Sequence, residues 1–142
     1  MTEFRPMPTR PTTAEAWLVQ CGLRPTRPRA ALAHRLITGG DRHFTAEELF
    51  AESRDSGDGV SLATVYNALK QFVEAGMIRR VDLGGSAVYY DTRTDDHPHY
   101  FWEEEGRLED APVEAAALAA LAPPPEGARI SGVDVVIRLR CS

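Results

Sequence analysis

The segment DDHPHYFWEEEGRLED, residues 95–110, contains the densest group of side chains that could do chemistry. His97 and His99 stand on either side of Pro98, which restricts the backbone and disfavours a helix. In an extended segment the side chains alternate, so the two imidazoles point to the same side and can bind one cation. Nearby aspartates are candidate oxygen ligands: Asp91, Asp95, Asp96 and Asp110. The pattern suggests a metal site, although structural or surface histidines would give the same local sequence.

An enzyme is one interpretation of this segment, because two histidines and a carboxylate form the iron site of non-haem oxygenases. That class needs a barrel of about eight strands, whereas this chain offers only a few candidate strands. The chain also contains neither a Gly-rich cofactor loop nor a nucleophile motif. We therefore expect that the protein is not an enzyme and that a bound ion would serve another purpose.

The composition is that of a globular protein, with 142 residues, 43% hydrophobic and 26% charged. No apolar run approaches the roughly 20 residues that span a bilayer, so we expect no membrane association. The N-terminal sequence lacks an apolar signal core, and residues 1–12 are expected to form a flexible arm. Cys21 and Cys141 form no CxxC pair, which favours the reducing cytoplasm over a disulfide framework or a thiolate zinc site.

The charge is unevenly distributed along the chain. The overall formal charge is −5, yet residues 1–46 carry seven arginines against three acids, and residues 93–142 carry five arginines against ten acids. A basic first third and an acidic last third indicate two surfaces with different partners.

The first half has the order of a winged helix-turn-helix domain. Capping residues, prolines and glycines predict helices that begin at Thr13, near Pro28, at Thr45 and at Ser61, and that end at Gly22, Gly39–Gly40, Gly57 and Gly76. Residues 77–83 and 86–92 read as two strands joined by a tight Gly-Gly turn. Helices followed by a hairpin predict a DNA-binding module.

The fourth helix has two different faces on a helical wheel. We predict a core face made of Leu62, Val65, Tyr66, Leu69, Phe72 and Val73. The opposite face carries Thr64, Asn67, Gln71 and Glu74. Asn and Gln can pair with adenine edges in a major groove, so this face is a candidate for base contacts, the alternative being an ordinary solvated face.

Arginines flank this candidate recognition helix. Arg24, Arg27 and Arg29 lie upstream of it, and Arg79 and Arg80 lie at the root of the hairpin. Guanidinium groups in such positions suit phosphate contacts, which position a protein on a duplex without reading its sequence. They favour DNA binding over a solvated face.

Several of these segments together resemble the ferric uptake regulator family. LRPTRPRAAL, HFTAEELF, VSLATVYNALKQFVEAGMIRRV and VYYD followed by DDHPH match with their spacing intact over residues 15–110. The C-terminal PPPEGARISGVDVVIRLR resembles one branch, the iron response regulators (Irr) of alpha-proteobacteria. The resemblance implies an α+β protein, with a winged-helix domain at residues 13–92, a hinge near residue 92 and a small α/β dimerisation domain at residues 93–142. It also implies a cytoplasmic homodimer that binds a double-stranded DNA operator.

The resemblance implies a sensory site position by position. Its ligands would be a histidine before the third helix, an acid at the end of the second wing strand, both histidines of the HxH and a last acid: His43, Asp91, His97, His99 and Asp110. Such a donor set suits one Fe(II) or Mn(II) per subunit and is compatible with Zn(II). The implied DNA contacts are Arg24, Arg29, Ser61, Thr64, Tyr66 and Asn67.

The chain departs from the family pattern at two positions. Trp102 and Glu105 stand where the family has a CxxC pair, so a structural zinc is not expected and apolar burial should hold the second domain together. The residues expected to supply that burial are Tyr100, Phe101, Trp102, Leu118, Leu121 and the strand VDVVIRL, with an alanine-rich helix in residues 111–125. The Irr branch shows three consecutive histidines, whereas this chain has His97-Pro98-His99.

These departures leave the signal open. Besides an iron-linked regulator, the sequence allows a regulator that acts through haem or a protein partner, and a peroxide- or manganese-responsive repressor. Cys21 is followed by Gly22 rather than proline, so no Cys-Pro haem motif is present. His34, in the middle of the second helix, is expected to be structural or exposed, and Cys141 to be an unengaged thiol.

Overall fold

The computed structural model describes residues 13–85, 88–112, 117 and 120–142. Its helices are α1 (Ala14–Gln20), α2 (Arg27–Thr38), α3 (Ala46–Asp55) and α4 (Leu62–Glu74). Its strands are β1 (His43–Phe44), β2 (Arg79–Asp82), β3 (Val88–Asp91), β4 (His99–Trp102), β5 (Arg107–Asp110) and β6 (Val136–Leu139). The expected arm at residues 1–12 lies outside the described residues. None of the described helices is long and apolar enough to cross a membrane.

The four helices begin at residues whose side chains satisfy free backbone N–H groups. The hydroxyl of Thr13 accepts from Ala16, and the hydroxyl of Ser61 accepts from Thr64. Thr45 and Glu48 form a reciprocal capping box at 3.1 and 3.4 Å. The predicted starts of these helices are therefore confirmed. Gly76, at φ 78°, turns the chain from α4 toward the hairpin.

The helices pack around one apolar core. Its largest fully buried side chains are Leu18, Leu32, Leu36, Phe44, Leu49, Val65, Leu69 and Phe72. The predicted core face of α4 is wrong at Tyr66, which is 44% exposed, while Ala68 is buried. Val65, Ala68, Leu69 and Phe72 follow the i, i+3, i+4, i+7 spacing, and Tyr66 lies about 100° away from Val65 around the axis.

Three strands form the first sheet, in the order β1-β3-β2, with both pairings antiparallel. The hairpin strands β2 and β3 are shorter than predicted, and residues 86–87 of the expected second strand lie outside the described part. Strand β1 has only two residues, too few for a periodic pattern to reveal it. It nevertheless places His43 opposite Asp91.

The second sheet has the order β5-β4-β6. Strands β4 and β5 form an antiparallel hairpin, and β6 lies parallel to β4 on its other side. A small apolar cluster joins the two sheets: Val81, Leu83 and Leu108, with Tyr89, Phe101 and Val136 against them. The mixed α and β content confirms the expected fold class.

The second sheet is less buried than the sequence suggested. Tyr100, Phe101 and Trp102 are only partly buried, and Leu121 is 71% exposed. Leu121 was expected to be buried. Within a single chain this expectation is wrong, because none of the described segments covers its side chain. Residues 113–116 and 118–119 of the alanine-rich helix expected at residues 111–125, Leu118 among them, lie outside the described residues, and the described residues 120–125 are not helical.

Candidate metal centre and nucleic-acid interface

Two cross-strand pairs bring most of the candidate ligands together. His43 lies opposite Asp91 in the first sheet, and His99 lies opposite Asp110 in the second. Directly opposed residues project from the same face of a sheet with their Cβ atoms about 5 Å apart. His97, in the segment that connects the sheets, adds a third imidazole. Two strand pairings and the segment between the sheets thus bring the five sequence-predicted ligands together.

One ligand atom from each of these residues lies within 4.8 Å of all the others. The Nε2 atoms of His43, His97 and His99 lie 3.0, 2.9 and 3.0 Å from Oδ2 of Asp91. The same three nitrogens lie 3.0, 3.0 and 3.6 Å from Oδ1 of Asp110. Three nitrogens therefore surround the same two oxygens.

These separations fit ligation of one ion. Two ligands about 2.1 Å from a common ion and at right angles to each other are about 3.0 Å apart. The Nε2 atom of His43 is also buried, and it lies near both carboxylates without the angle of a hydrogen bond to either. An ion bound at that nitrogen would satisfy it. The residues present fit a divalent cation, whose charge would offset the two carboxylates.

Burial differs across the cluster. Asp91 and His97 are 1% exposed and His99 is 3% exposed, whereas the side chain of Asp110 is 42% exposed. The cluster is therefore closed around Asp91, His97 and His99 and open to solvent at Asp110.

The pKa values of Asp91 and His43 are both shifted by the opposite charges in this cluster. Burial alone would raise the pKa of Asp91, but the imidazoles of His43 and His99 and the backbone N–H of Arg93 hold it far below its usual range. Burial alone would lower the pKa of His43, but the carboxylates of Asp91 and Asp110 raise it above the ordinary histidine value. The two carboxylates thus favour positive charge at the centre of the cluster.

An outer layer of contacts fixes the orientation of the ligands. Nδ1 of His97 lies 2.7 Å from the backbone carbonyl of Asp95; since a carbonyl only accepts, Nδ1 carries the hydrogen and Nε2 faces the carboxylates. The backbone N–H of Arg93 donates to Oδ1 of Asp91 at 2.9 Å, which leaves Oδ2 for the imidazoles. The guanidinium of Arg93 lies 3.6 Å from Oδ2 of Asp110. Sequence reasoning missed Arg93, which carries no motif of its own.

Two of the four candidate aspartates take no part in the cluster. The carboxylate of Asp95 accepts two hydrogen bonds from Arg93, at 2.6 and 2.7 Å, and that pairing lowers its pKa. The carboxylate of Asp96 accepts from Arg79 at 2.7 Å. The proximity of an acid to the HxH in sequence is therefore a weaker guide than its position in a strand.

The expected base-contacting face of α4 is open to solvent. Ser61, Tyr66 and Asn67 are exposed, and Thr64 is partly exposed. The hydroxyl of Tyr66 donates to the carboxylate of Glu47. Tyr66 also borders a cleft of about 430 Å³ between the helices and the hairpin.

Arg24 and Arg29 lie at the start of α2 beside this face. Arg24 is exposed. Arg29 donates from Nε to the side-chain oxygen of Gln71 at 3.0 Å and from Nη1 to the carbonyl of Arg24 at 2.9 Å. Gln71, which we expected to face bases, therefore has its amide oxygen engaged by Arg29.

The two arginines at the root of the hairpin differ. Arg80 is 54% exposed and remains available to a phosphate. Arg79 is 16% exposed and turns toward the second sheet, where it binds Asp96 and Asp134. The expected phosphate contact by Arg79 is therefore wrong, because strand alternation points neighbouring side chains to opposite faces. His34 and Cys141 are exposed, and Cys141 forms no disulfide, in agreement with prediction.

Known proteins share both the sequence pattern and the fold. The model of the ferric uptake regulator family matches residues 20–118. The ferric uptake regulation protein of Shigella flexneri is 35% identical over 92 residues, 64% of this chain and 62% of that protein. The peroxide-responsive repressor PerR of Staphylococcus aureus is 33% identical over 95 residues, 67% of this chain and 64% of the repressor. The chain spans just under two thirds of the length of these two relatives.

Solved structures extend the likeness in fold beyond the aligned sequence. The ferric uptake regulator of Vibrio cholerae superimposes with a TM-score of 0.72 at 25% identity, over 89% of this chain and 98% of that chain. The regulator from Pseudomonas aeruginosa with manganese gives a TM-score of 0.74 at 24% identity, over 90% of this chain and 97% of that chain. The latter shows the fold alone.

The chain consists of a winged-helix unit and a small strand-rich unit, with a cluster of histidines and aspartates where the two meet. These features define a class of two-unit winged-helix folds with a candidate metal site. Within that class, the model of one family matches residues 20–118. The chain belongs to the ferric uptake regulator family. The names of the relatives above describe regulators and a repressor rather than enzymes, in agreement with the expectation from sequence.

Proposed function

We propose that this chain is a metal-responsive transcriptional regulator in which one divalent ion per subunit sets the affinity for operator DNA. A single observation carries the proposal. Five ligand atoms lie within 4.8 Å of one another, two from the first sheet, two from the second and one from the segment between them. Any ion bound there holds the two units in one arrangement.

The mechanism follows from that placement. His43 and Asp91 belong to the proposed DNA-binding domain, residues 13–92, and His97, His99 and Asp110 belong to the proposed dimerisation domain, residues 93–142. Thr92 exchanges hydrogen bonds with the backbone of Arg42, so the proposed hinge follows it. An ion stabilises the arrangement that brings its ligands together, and it changes DNA affinity to the extent that this arrangement binds DNA differently.

The proposed DNA surface is the exposed face of α4 with the arginines beside it. Ser61, Thr64, Tyr66 and Asn67 would face base edges, and Arg24, Arg29 and Arg80 would contact phosphates. The placement agrees with a recognition helix in the major groove and a wing beside it.

A homodimer is the proposed assembly. Strand β6 is an edge strand of the second sheet, and Leu121 and Ile137 are exposed apolar side chains in that unit. Exposed apolar side chains, and a strand edge with which no described strand pairs, are features that a second copy would cover. A two-fold dimer would present two recognition helices to two operator half-sites.

Fe(II) or Mn(II) is the proposed ion, with Zn(II) as a competitor. Three imidazoles and two carboxylates form a site of intermediate hardness that several divalent metals can occupy. At such a site the geometry and the availability of each metal, rather than its intrinsic affinity, decide which one binds. Related structures carry the names of all three metals: a regulator from Francisella tularensis with iron, one from Pseudomonas aeruginosa with manganese, and a zinc-bound manganese uptake regulator. Iron-linked control of the Irr type is the finer proposal, supported by the C-terminal sequence.

A second, structural zinc is not part of the proposal. Trp102, where the family pattern has a cysteine, donates its indole N–H to Glu109 and lies under the guanidinium of Arg107. Glu105, at the other cysteine position, pairs with Arg107 at 2.9 Å. Neither position offers a thiolate to zinc.

The test combines metal analysis with DNA binding. Protein purified under anaerobic conditions is analysed for metals, and its operator is selected from genomic fragments. Operator affinity is then titrated with Fe(II), Mn(II), Zn(II) and haem, and after chelation. We expect one ion per subunit and a change in operator affinity with that ion. An affinity that is identical with and without every metal, for a protein that binds metal, would refute metal control; a response to haem alone would favour the haem-responsive alternative.

A further inference from the structure

Arg79 makes a contact that neither the wing nor the metal ligands require. Its side chain leaves strand β2 and crosses to the second unit. One terminal nitrogen donates to the carboxylate of Asp96 at 2.7 Å and to the backbone carbonyl of Asp95 at 3.2 Å. The other donates to the carbonyl of Val133 at 2.9 Å and to the carboxylate of Asp134 at 2.5 Å. A single guanidinium thus joins three segments.

The same contact reaches the candidate metal site. The carbonyl of Asp95 that accepts from Arg79 also accepts from Nδ1 of His97 at 2.7 Å. That second hydrogen bond places the hydrogen of His97 on Nδ1 and directs Nε2 to the ligand cluster. Arg79 also lies opposite Asp91 in the pairing of β2 with β3, so its backbone and that of a candidate ligand are neighbours.

The exposures of the three charged side chains show that Arg79 depends on this contact more than its acidic partners do. The guanidinium is 16% exposed and lies between Asp96 and Asp134, which are 37% and 79% exposed. Exposed acids contribute little by themselves, but a mostly buried guanidinium needs partners for its donors. If the two units separated, Arg79 would lose two carbonyls and two carboxylates together.

We propose that Arg79 is a positioning residue that holds the two units together before metal binds and that orients His97 for ligation. This inference rests on the proposed metal control. The contact is independent of the ion, because none of its four acceptors belongs to the five-residue ligand cluster. Metal-free protein would then retain a largely assembled site, and the ion would bind without first gathering both units.

The adjacent arginine provides a matched control. Arg80→Ala removes the same charge from the next position of β2, where the side chain is 54% exposed and lies 3.8 Å from Asp82. Arg79→Lys keeps the charge but loses the two-armed geometry. Asp96→Asn combined with Asp134→Asn keeps Arg79 and weakens its partners, so it tests the contact in case Arg79→Ala fails to fold.

The first measurement is hydrogen exchange in metal-free full-length protein, followed by mass spectrometry of the segments 95–99 and 133–136. We expect faster exchange there in Arg79→Ala and in the double aspartate variant than in Arg80→Ala. Adding Mn(II) should restore protection. Equal exchange in the Arg79→Ala, double aspartate and Arg80→Ala proteins would overturn the inference.

The second measurement distinguishes positioning from general stabilisation. Mn(II) affinity, from competition with a metal-binding dye, should fall about 10-fold or more in Arg79→Ala and little in Arg80→Ala, since loss of an outer-layer contact costs roughly 10–100-fold. Nitrogen NMR of the imidazoles in metal-free protein should show a weakened Nδ1 hydrogen bond at His97 in Arg79→Ala and the wild-type bond in Arg80→Ala. Unchanged affinity and an unchanged Nδ1 signal would refute the positioning role. Operator binding enters neither measurement, so a wild-type protein that binds Mn(II) but no DNA would refute the proposed function alone.

Discussion

At the scale of single residues, a substitution at His99 should affect metal binding without affecting folding. His99 lies 3.0 Å from Asp91 and is almost fully buried, but its partners are the other candidate ligands rather than the apolar core. We expect His99→Ala to lose bound metal and the effect of metal on operator affinity while it remains folded. Equilibrium dialysis, DNA binding and circular dichroism check the three outcomes. His34→Ala, at an exposed histidine outside the cluster, should change none of them. Metal retained at full stoichiometry in His99→Ala would contradict the assignment.

The folding stability of metal-free protein should depend on pH because His43 and Asp91 interact with each other. The raised pKa of His43 means that its stabilisation is present below the unfolded value of about 6.5 and is lost as the pH rises through the folded value. The depressed pKa of Asp91 means that its stabilisation is present above about 3.9 and is lost on acidification toward the folded value. Metal-free protein should therefore lose stability as the pH rises from about 6.5 through the raised pKa of His43.

Metal affinity should change in the opposite sense. An imidazole must be neutral to ligate, so the ion and the proton compete at His43, and Mn(II) should bind more tightly as the pH rises over the same interval. Thermal unfolding with and without Mn(II) between pH 5 and 8 measures both trends, with His43→Ala as the variant that should flatten them. A metal-free stability that rises with pH in this interval would show that another group dominates.

At the scale of elements, α4 and the start of α2 should have different effects on DNA binding. Asn67→Ala and Thr64→Ala should weaken binding to the selected operator and relax its sequence preference, because a lost base contact costs roughly 1–3 kcal/mol. Both side chains lie off the core stripe, so folding should be unaffected. Binding to a panel of operator variants measures this. An equal loss of affinity for all operator variants would instead indicate that both residues contact the DNA backbone.

Arg24→Ala should instead weaken binding to all sequences about equally. The residue is exposed at the start of α2, where a guanidinium can touch a phosphate. Each phosphate contact that is lost lowers the magnitude of the salt slope by about one unit. Titrations at several salt concentrations measure the slope. A loss confined to one operator sequence would contradict the assignment.

The elements also show what a sequence can and cannot predict. Capping residues predicted the helix starts, because a Ser or Thr at an N-cap acts within one turn. The ligand set was reached through a family resemblance, and the structure brings the five residues together. Strand β1 and the turn of Arg79 toward Asp96 and Asp134 were missed, because both depend on partners far away in the chain. Tyr66 was misplaced because a wheel assigns faces from residue type, whereas the approach of neighbouring helices selects Ala68.

At the scale of the whole molecule, the ion should control an arrangement and not the fold. The first unit has its own apolar core, and the two units also touch through Val81, Leu83 and Leu108. We expect chelation to change operator affinity while the dimer persists, as measured by analytical ultracentrifugation with and without EDTA. Dissociation or unfolding on chelation would make the ion structural.

The cross-strand pairs have a further consequence for how the protein is made. His43 leaves the ribosome long before its partner ligand Asp110, which follows it by 67 residues. The winged-helix unit is complete at Asp91, 19 residues before Asp110, so at about 5–20 residues per second it has about 1–4 seconds in which to fold while the second hairpin does not yet exist. A nascent chain at that stage already carries the proposed recognition helix but only two of the five candidate ligands. The proposed sensitivity to metal can therefore arise only after the winged-helix unit has been made.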